Sequence, residues 1–488
     1  MHFSPHSLIM KHIHLIGICG TGMGSLAGLL VEAGHKVSGS DIAFYPPMGD
    51  QLKGLNISLK TGFDPKNLEP KPDTVIIGNV CTKENPEAKR ALEAGIPYFS
   101  LPQALQELFL KNKKALVVAG THGKTTTATL LAWVLTHAGL DPGFMIGGVG
   151  INLGKSYHVG KGDYFVVEGD EYDTAFFDKG PKFAHYRPFG AILTSIEWDH
   201  ADIYPTFDSM LKGFEKFIAT LSSKSPLLVW ADSPKITELT HIHNYPLFRY
   251  GLHFGDYVAQ NISPSPQGIH FTLCHKDERI PLFLSMTGPA NLENAVAVTG
   301  LCHQLGLSWE QIGEGLKTFQ GVKRRQEIKG AVKGVTVIDD FAHHPTAVKR
   351  TIEAIKEKFP GQRLIVVFEP RSNTSRRKTL YEEYLRAFHG ADRVIIAGIY
   401  HPEKIPESER LDTAKLADDL MKRGVDAYAV QGTDFIVEFI TRGIGPENVV
   451  AFFSNGDFDN IHQKLLDKLS RRKILPDRKQ ARSIKIKT

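Results

Sequence analysis

Nine consecutive residues limit what this chain can fold into more than any others: Ala119-Gly120-Thr121-His122-Gly123-Lys124-Thr125-Thr126-Thr127, set directly behind the apolar run 115–118 and shortly before the apolar run 130–135. The order is strand, glycine turn, helix. At such a junction the N–H groups of the helix's first turn and the helix dipole converge on one point. Gly120 and Gly123 let a polyphosphate approach the backbone there. Lys124 supplies positive charge, and the hydroxyl of Thr125 can hold Mg²⁺. Val118 stands where the fuller phosphate-loop pattern has another glycine, so this is a shortened loop. The stretch predicts nucleoside triphosphate binding.

At 488 residues the chain is too long for one core and predicts about three domains. Apolar residues make up 42% and charged residues 23%, and no run approaches the roughly 18 apolar residues of a membrane helix. The apolar stretch 13–19 runs into glycines as a strand does and lacks a small-residue cleavage site, so no export is expected. Cys19, Cys81, Cys274 and Cys302 have no paired spacing and read as reduced thiols in a cytoplasm. The net charge of +5 is local to one end: residues 471–488 hold eight Lys or Arg against the single Asp477, which leaves the body slightly acidic. The body therefore has no electrostatic support for nucleic-acid binding. Residues 1–10 read as an extension and 471–488 as a solvated basic tail.

Between these ends the expected fold is α/β in three domains: 11–108, 109–322 and 323–470. The first opens with a strand at 12–16, then Gly17-Ile18-Cys19-Gly20-Thr21-Gly22-Met23-Gly24, a helix over 25–33 and a strand closing on Asp41. A third strand at 74–78 and a helix around 86–94 continue a Rossmann-like domain. Gly20, Gly22 and the Met23 backbone admit a pyrophosphate, and Asp41 follows at the distance of a ribose-binding acid. This pattern says nucleotide diphosphate without separating a dinucleotide from a UDP-sugar. In the second segment, strands at 164–167 and 191–194 deliver Glu168-Gly169-Asp170-Glu171 and Ser195-Ile196-Glu197-Trp198-Asp199-His200 to the edge that carries the phosphate loop, where an acid can complete a Mg²⁺ shell with Thr125. The third segment has strands at 335–338, 363–368, 393–397 and 449–453. They lead respectively to Asp339-Asp340-Phe341-Ala342-His343-His344-Pro345, to Glu369-Pro370-Arg371-Ser372-Asn373 and, at the last, to Ser454-Asn455-Gly456. This reads as a second Rossmann-like sheet. His343 and His344 are adjacent and diverge, so no histidine metal site is expected there.

Taken in order, these motifs resemble the Mur ligases of peptidoglycan synthesis over roughly residues 11–470. Three longer stretches, 170–179, 368–374 and 454–456 followed by 461–466, look like the branch that joins the murein tripeptide L-alanyl-γ-D-glutamyl-meso-diaminopimelate to UDP-N-acetylmuramate in recycling, and not the branch that adds L-alanine alone. The resemblance implies that the lactyl carboxylate attacks the γ-phosphorus of ATP, giving an acyl phosphate that the peptide amine then attacks. It implies that residues 120–126 hold the triphosphate: Gly120, Thr121, His122, Gly123, Lys124, Thr125 and Thr126. It implies one Mg²⁺ on Thr125 and Glu168, a second ion reached by Glu168 and His200, and Asn291 on adenine. It further implies Arg325 on the γ-phosphate from the third domain, and Asp340 with His343 on the nucleoside side. An enzyme so divided depends on domain closure. Arg371 is the candidate for gripping a peptide carboxylate, because a guanidinium fork matches a carboxylate bidentately; Ser372, Asn373 and Asn455 belong to the same pocket.

The chain departs from the family pattern in three places. Ala290 precedes Asn291 where a histidine is usual, Gly169 replaces an alanine, and Glu215 with Lys216 stands where several relatives carry a carbamylated lysine, so no carbamate is assigned. The competing readings are an L-alanine ligase on the same sugar nucleotide and a nicotinamide oxidoreductase built on residues 17–24. The second leaves Lys124 and both acid clusters without a role.

Overall fold

The computed structural model describes residues 10–45, 48–198, 204, 206–241 and 245–471. The extension 1–9, His200 and the basic residues 472–488 lie outside the described residues. Two compact units emerge, dividing between Arg325 and Gln326.

The first unit contains two large sheets and a small two-stranded ladder, Asp173–Ala175 with Asp178–Pro181. One has five parallel strands in the spatial order Ile57–Thr61, Lys36–Asp41, His12–Ile16, Thr74–Ile77, Tyr98–Ser100. Thr74–Ile77 is buried along its whole length, which is why it reads as an unbroken apolar run. His14 sits fully buried in the central strand, where its ring meets Ser38 Oγ at 2.9 Å and Glu87 Oε2 at 3.1 Å. The chain winds outward in both directions from His12–Ile16, and the crevice at such a switch point is where α/β sheets bind ligands. The helix Thr21–Glu32 starts there, four residues earlier than the sequence reading places it. Gly22 and Gly24 are therefore part of its first turn.

The second sheet has ten strands. A parallel core runs Gly143–Met145, Tyr164–Gly169, Lys114–Ala119, Gly190–Leu193, Leu227–Trp230, Leu247–Gly251 and Tyr257–Ser265. Antiparallel strands extend it at both edges: Gly268–His275 and Glu278–Leu284 at one, Tyr157–His158 at the other. The phosphate-loop strand Lys114–Ala119 lies at the switch point, between the two strands that deliver the acidic clusters. The helix that follows, Lys124–His137, is buried over most of its length between this sheet and the helices Pro289–Gln304 and Trp309–Thr318.

These two sheets form one unit because the helix Thr21–Glu32 packs on the second sheet's edge strand. A side chain at Gly28 would collide with the ring of Tyr157. Ser25 Oγ lies 3.0 Å from Ser156 Oγ, and Glu32 takes Lys155 at 2.7 Å and the His158 ring at 2.5 Å. The second unit has a six-stranded sheet in the order Glu327–Val332, Val335–Asp340, Asn448–Phe453, Arg363–Phe368, Arg393–Ile396, Ala427–Ala429, parallel except for its first strand. All four cysteines are buried and unpaired. Among the described residues no helix is long and apolar enough to cross a membrane.

Candidate active site

The phosphate loop is built from the backbone upward. Gly120 has φ +130° and Gly123 has φ +81°, conformations that exclude an ordinary side chain. Space excludes one too. A Cβ on Gly120 would strike Thr194, and one on Gly123 would lie 2.8 Å from Asn294 Oδ1. The end of the neighbouring strand stitches the loop in place. Thr121 N–H donates to Ser195 O (2.9 Å) and its hydroxyl to Glu197 O (3.0 Å); His122 N–H donates to Ser195 Oγ (2.9 Å) and its ring meets Glu197 Oε2 at 3.3 Å. Thr126 is buried behind the loop in the first turn of the helix.

Lys124 folds back across the loop to donate to Gly120 O at 2.6 Å and to both oxygens of Glu171, at 2.9 and 3.1 Å. Its side chain is 13% exposed and that of Glu171 is 1% exposed. Burial works against the ammonium charge, but the carboxylates of Glu171, Asp170 and Glu168 outweigh it and raise the pKa. Thr125 Oγ1 donates to Glu168 Oε2 (3.1 Å), and Gly147 N–H donates to Glu168 Oε1 (2.6 Å). Burial first, and then the neighbouring Asp170, push the Glu168 carboxyl up to about 7, against the hydrogen bonds that favour its charge. A hydroxyl oxygen and a carboxylate oxygen held together, with two further acids nearby, form a set of hard oxygen donors fit for Mg²⁺.

At the other sheet, Gly20 is the N-cap of the helix Thr21–Glu32, with Gly22 in its first turn. The Met23 side chain is buried, so only its backbone faces the turn. Asp41 is held by the glycine turn's own backbone: Cys19 N–H donates to one oxygen and Ile42 N–H to the other, each at 2.8 Å. Its visible task is to fix that turn, where the sequence reading gives it a ribose.

The glycine turn and Glu168 open onto one cavity of about 280 Å³. Its wall includes Thr21, Gly22 and Ser25 from the glycine turn and helix, Glu168 from the second sheet, and Gly147, Asp170, Tyr172 and Lys182 from the segments that follow its strands. The sugar-nucleotide candidate residues and the metal-holding candidate Glu168 thus open onto the same space.

Asn291 lies in the first turn of the helix Pro289–Gln304, buried, with its amide donating to Thr287 O at 2.7 Å. Glu215 and Lys216 are exposed on the helix Phe207–Ile218. Arg325 is the last residue of the first unit, where the sequence reading counts it in the third domain. The segment before it is tied to that unit through Lys323 N–H to Val149 O (2.9 Å) and Arg325 N–H to Val322 O (3.1 Å). Its neighbours Arg324 (φ +61°) and Gln326 (φ +50°) are both left-handed, which makes a sharp junction.

In the second unit, Asp340 is buried and accepts from Gln326 N–H and Ala342 N–H, both at 2.7 Å. The His343 ring meets Phe341 O at 3.0 Å. Arg371 stacks over Tyr400 at 3.8 Å from the ring centroid and pairs with Asp457 at 2.8 Å; Glu369 lies 3.7 Å away. Gly456 passes so close that a Cβ would overlap the guanidinium. Ser372 donates to Ser375, Asn373 accepts from Arg376, and the Asn455 carbonyl oxygen is buried without a hydrogen-bond partner among the described residues.

Three family profiles match the chain in tandem: Mur ligase family, catalytic domain (residues 12–113), Mur ligase middle domain (118–302) and Mur ligase, glutamate ligase domain (324–456). The chain belongs to the Mur ligase family. Among this family, a UDP-N-acetylmuramate--L-alanyl-γ-D-glutamyl-meso-2,6-diaminoheptandioate ligase of Haemophilus influenzae is 37% identical, over 94% of this chain and 99% of that one. A UDP-N-acetylmuramate--L-alanine ligase of Clostridium kluyveri is 32% identical over 94% and 98%. The crystal structure of a murein peptide ligase from Psychrobacter arcticus superposes with a TM-score of 0.70 at 33% identity, covering 95% of this chain and all of that one. The three-domain α/β architecture and ATP-dependent ligation are those of this family of Mur ligases.

The sequence reading misses four residues of the site. Glu171 and Glu197 stand inside motifs it singles out, but their partners are 47 and 75 positions away. Asn294 follows Asn291 by three residues, the spacing that puts two side chains on one helix face. Lys182 carries no sequence signal of its own.

Proposed function

We infer that this Mur ligase joins the lactyl carboxylate of UDP-N-acetylmuramate to the amine of L-alanyl-γ-D-glutamyl-meso-diaminopimelate, at the expense of ATP, in the recycling of peptidoglycan. The observation that carries this reading is the cavity shared by the glycine turn and Glu168. A sugar nucleotide whose diphosphate rests on the N-terminus of Thr21–Glu32 can extend its acid toward the phosphate loop without leaving the first unit.

The chemistry needs alignment and charge neutralisation, with no protein nucleophile. The loop N–H groups of residues 120–126 and the ammonium of Lys124 cradle the β- and γ-phosphates, with Lys124 leaving Glu171 to do so. Thr125 and Glu168 would hold Mg²⁺, which when bound would neutralise phosphate charge. The lactyl carboxylate displaces ADP from the γ-phosphorus and becomes an acyl phosphate. The peptide amine then attacks the acyl carbon, loses a proton and expels inorganic phosphate. Asn291 receives adenine, Arg325 the γ-phosphate, and Asp340 with His343 the nucleoside. Arg371, with Ser372, Asn373 and Asn455, receives a peptide carboxylate; since Asp457 is exposed, the peptide's acid can take its place on the guanidinium.

Incubation with ATP, Mg²⁺ and UDP-N-acetylmuramate, followed by tripeptide or L-alanine, tests the reading. Phosphate release with tripeptide supports it. Release with L-alanine in preference to tripeptide would place the chain with the L-alanine ligases.

A further inference from the structure

Two acids already face the shared cavity, Glu168 and Asp170, and the substrate must bring a third. Mg²⁺ on Thr125 and Glu168 would offset one of them; a carboxylate entering low-dielectric space beside the other, Asp170, is repelled unless a further cation meets it. Lys182 is the one basic side chain in the cavity wall among the described residues. Its Nζ lies 3.1 Å from Asp170 Oδ2, its side chain is 16% exposed, and the ammonium stands 5.8 Å from the ring centre of Tyr172, another wall residue. The lysine follows Pro181, which closes the small antiparallel ladder Asp173–Ala175 with Asp178–Pro181, so its backbone is fixed.

We propose that Lys182 is a specificity residue: its ammonium binds the lactyl carboxylate of the sugar nucleotide and so distinguishes the muramyl acid from the same nucleotide without it. This rests on the ligase reading above. Asp170 pairs with the ammonium at 3.1 Å, and the incoming carboxylate takes that place on an ammonium positioned by its own backbone. Lys124 does not duplicate the role, because it belongs to the phosphate loop and pairs with Glu171.

The test is binding of two nucleotides, UDP-N-acetylmuramate and UDP-N-acetylglucosamine, to the full chain with Mg²⁺ and a non-hydrolysable ATP analogue present. The second nucleotide lacks the lactyl acid and reports on the fold and on the diphosphate contacts. Lys182→Met is expected to weaken UDP-N-acetylmuramate roughly ten- to a hundredfold, the range of a charge-assisted hydrogen bond, with UDP-N-acetylglucosamine unchanged; Lys182→Arg should restore most of the difference. Asp170→Asn should keep the discrimination. Equal weakening of both nucleotides, no weakening of either, or the same selective loss in Asp170→Asn would overturn the assignment. If the unmodified protein bound neither nucleotide, the ligase reading of the cavity would itself fall.

Discussion

Glu168 carries the sharpest consequence at the level of single residues. Its carboxyl is raised from an ordinary 4.5 to about 7 by burial and by Asp170. In the cation-free protein the folded state therefore holds this proton more tightly than the unfolded chain does. The stability this gives is complete below about 4.5 and is lost as the pH rises through about 7. Mg²⁺ competes with that proton, so the rise in Tm that Mg²⁺ with an ATP analogue produces should be larger at pH 8 than at pH 6. Glu168→Gln should flatten the difference; an equal rise at both pH values in the unmodified protein would contradict the assignment. Lys124 and Glu171 give a second test with opposite signs. Breaking a buried ion pair from one side costs about 3–5 kcal/mol, so Glu171→Gln should lower the Tm. It should also tighten ATP binding, because Lys124 no longer has to be drawn off a carboxylate. Lys124→Ala should abolish turnover. Arg371→Ala should raise the KM for tripeptide and leave that for ATP in place, read by varying one substrate at a time.

At the scale of elements, the phosphate loop is legible because its whole signal is local: an apolar strand, two glycines, Lys-Thr and a helix between Lys114 and His137. The structure adds why both glycines are required, namely positive φ together with Thr194 and Asn294 pressing on the missing Cβ positions. Gly123→Ala should therefore cost about 1 kcal/mol or more in stability and weaken ATP binding severalfold, measured by thermal unfolding with and without nucleotide. The helix Thr21–Glu32 shows where sequence reasoning stopped short. Its early glycines read as a turn for a ligand; Gly28, further along, lies against the ring of Tyr157, a contact across 129 positions that no local pattern reveals. Gly28→Val should destabilise the first unit by about 1–3 kcal/mol through overpacking. Spacing points to Asp41, but spacing from a glycine turn cannot tell a ribose from the turn's own N–H groups, which the carboxylate accepts from here. The antiparallel strands Gly268–His275 and Glu278–Leu284 escaped the sequence reading because they lie at an edge and mix exposed and buried positions, without the apolar run of a central strand.

At the scale of the molecule, three sheets were legible as three alternations of strand and helix, and the order of their motifs carried the family. The merging of the first two sheets into one compact unit was not legible, because it depends on small residues meeting at a packed face. That merging brings the glycine turn and Glu168 onto a common cavity. ATP alone should bind without being hydrolysed, and phosphate should appear only when sugar nucleotide and peptide are both supplied, as a phosphate-release assay would record. The central claim is that the acid of the sugar nucleotide is itself phosphorylated in that cavity. UDP-N-acetylmuramate carrying ¹⁸O in its lactyl carboxylate tests this most directly, by mass analysis of the phosphate released with ATP and tripeptide. One ¹⁸O atom transferred into the phosphate is the expected result. Phosphate free of the label, formed alongside ligated product, would contradict the account.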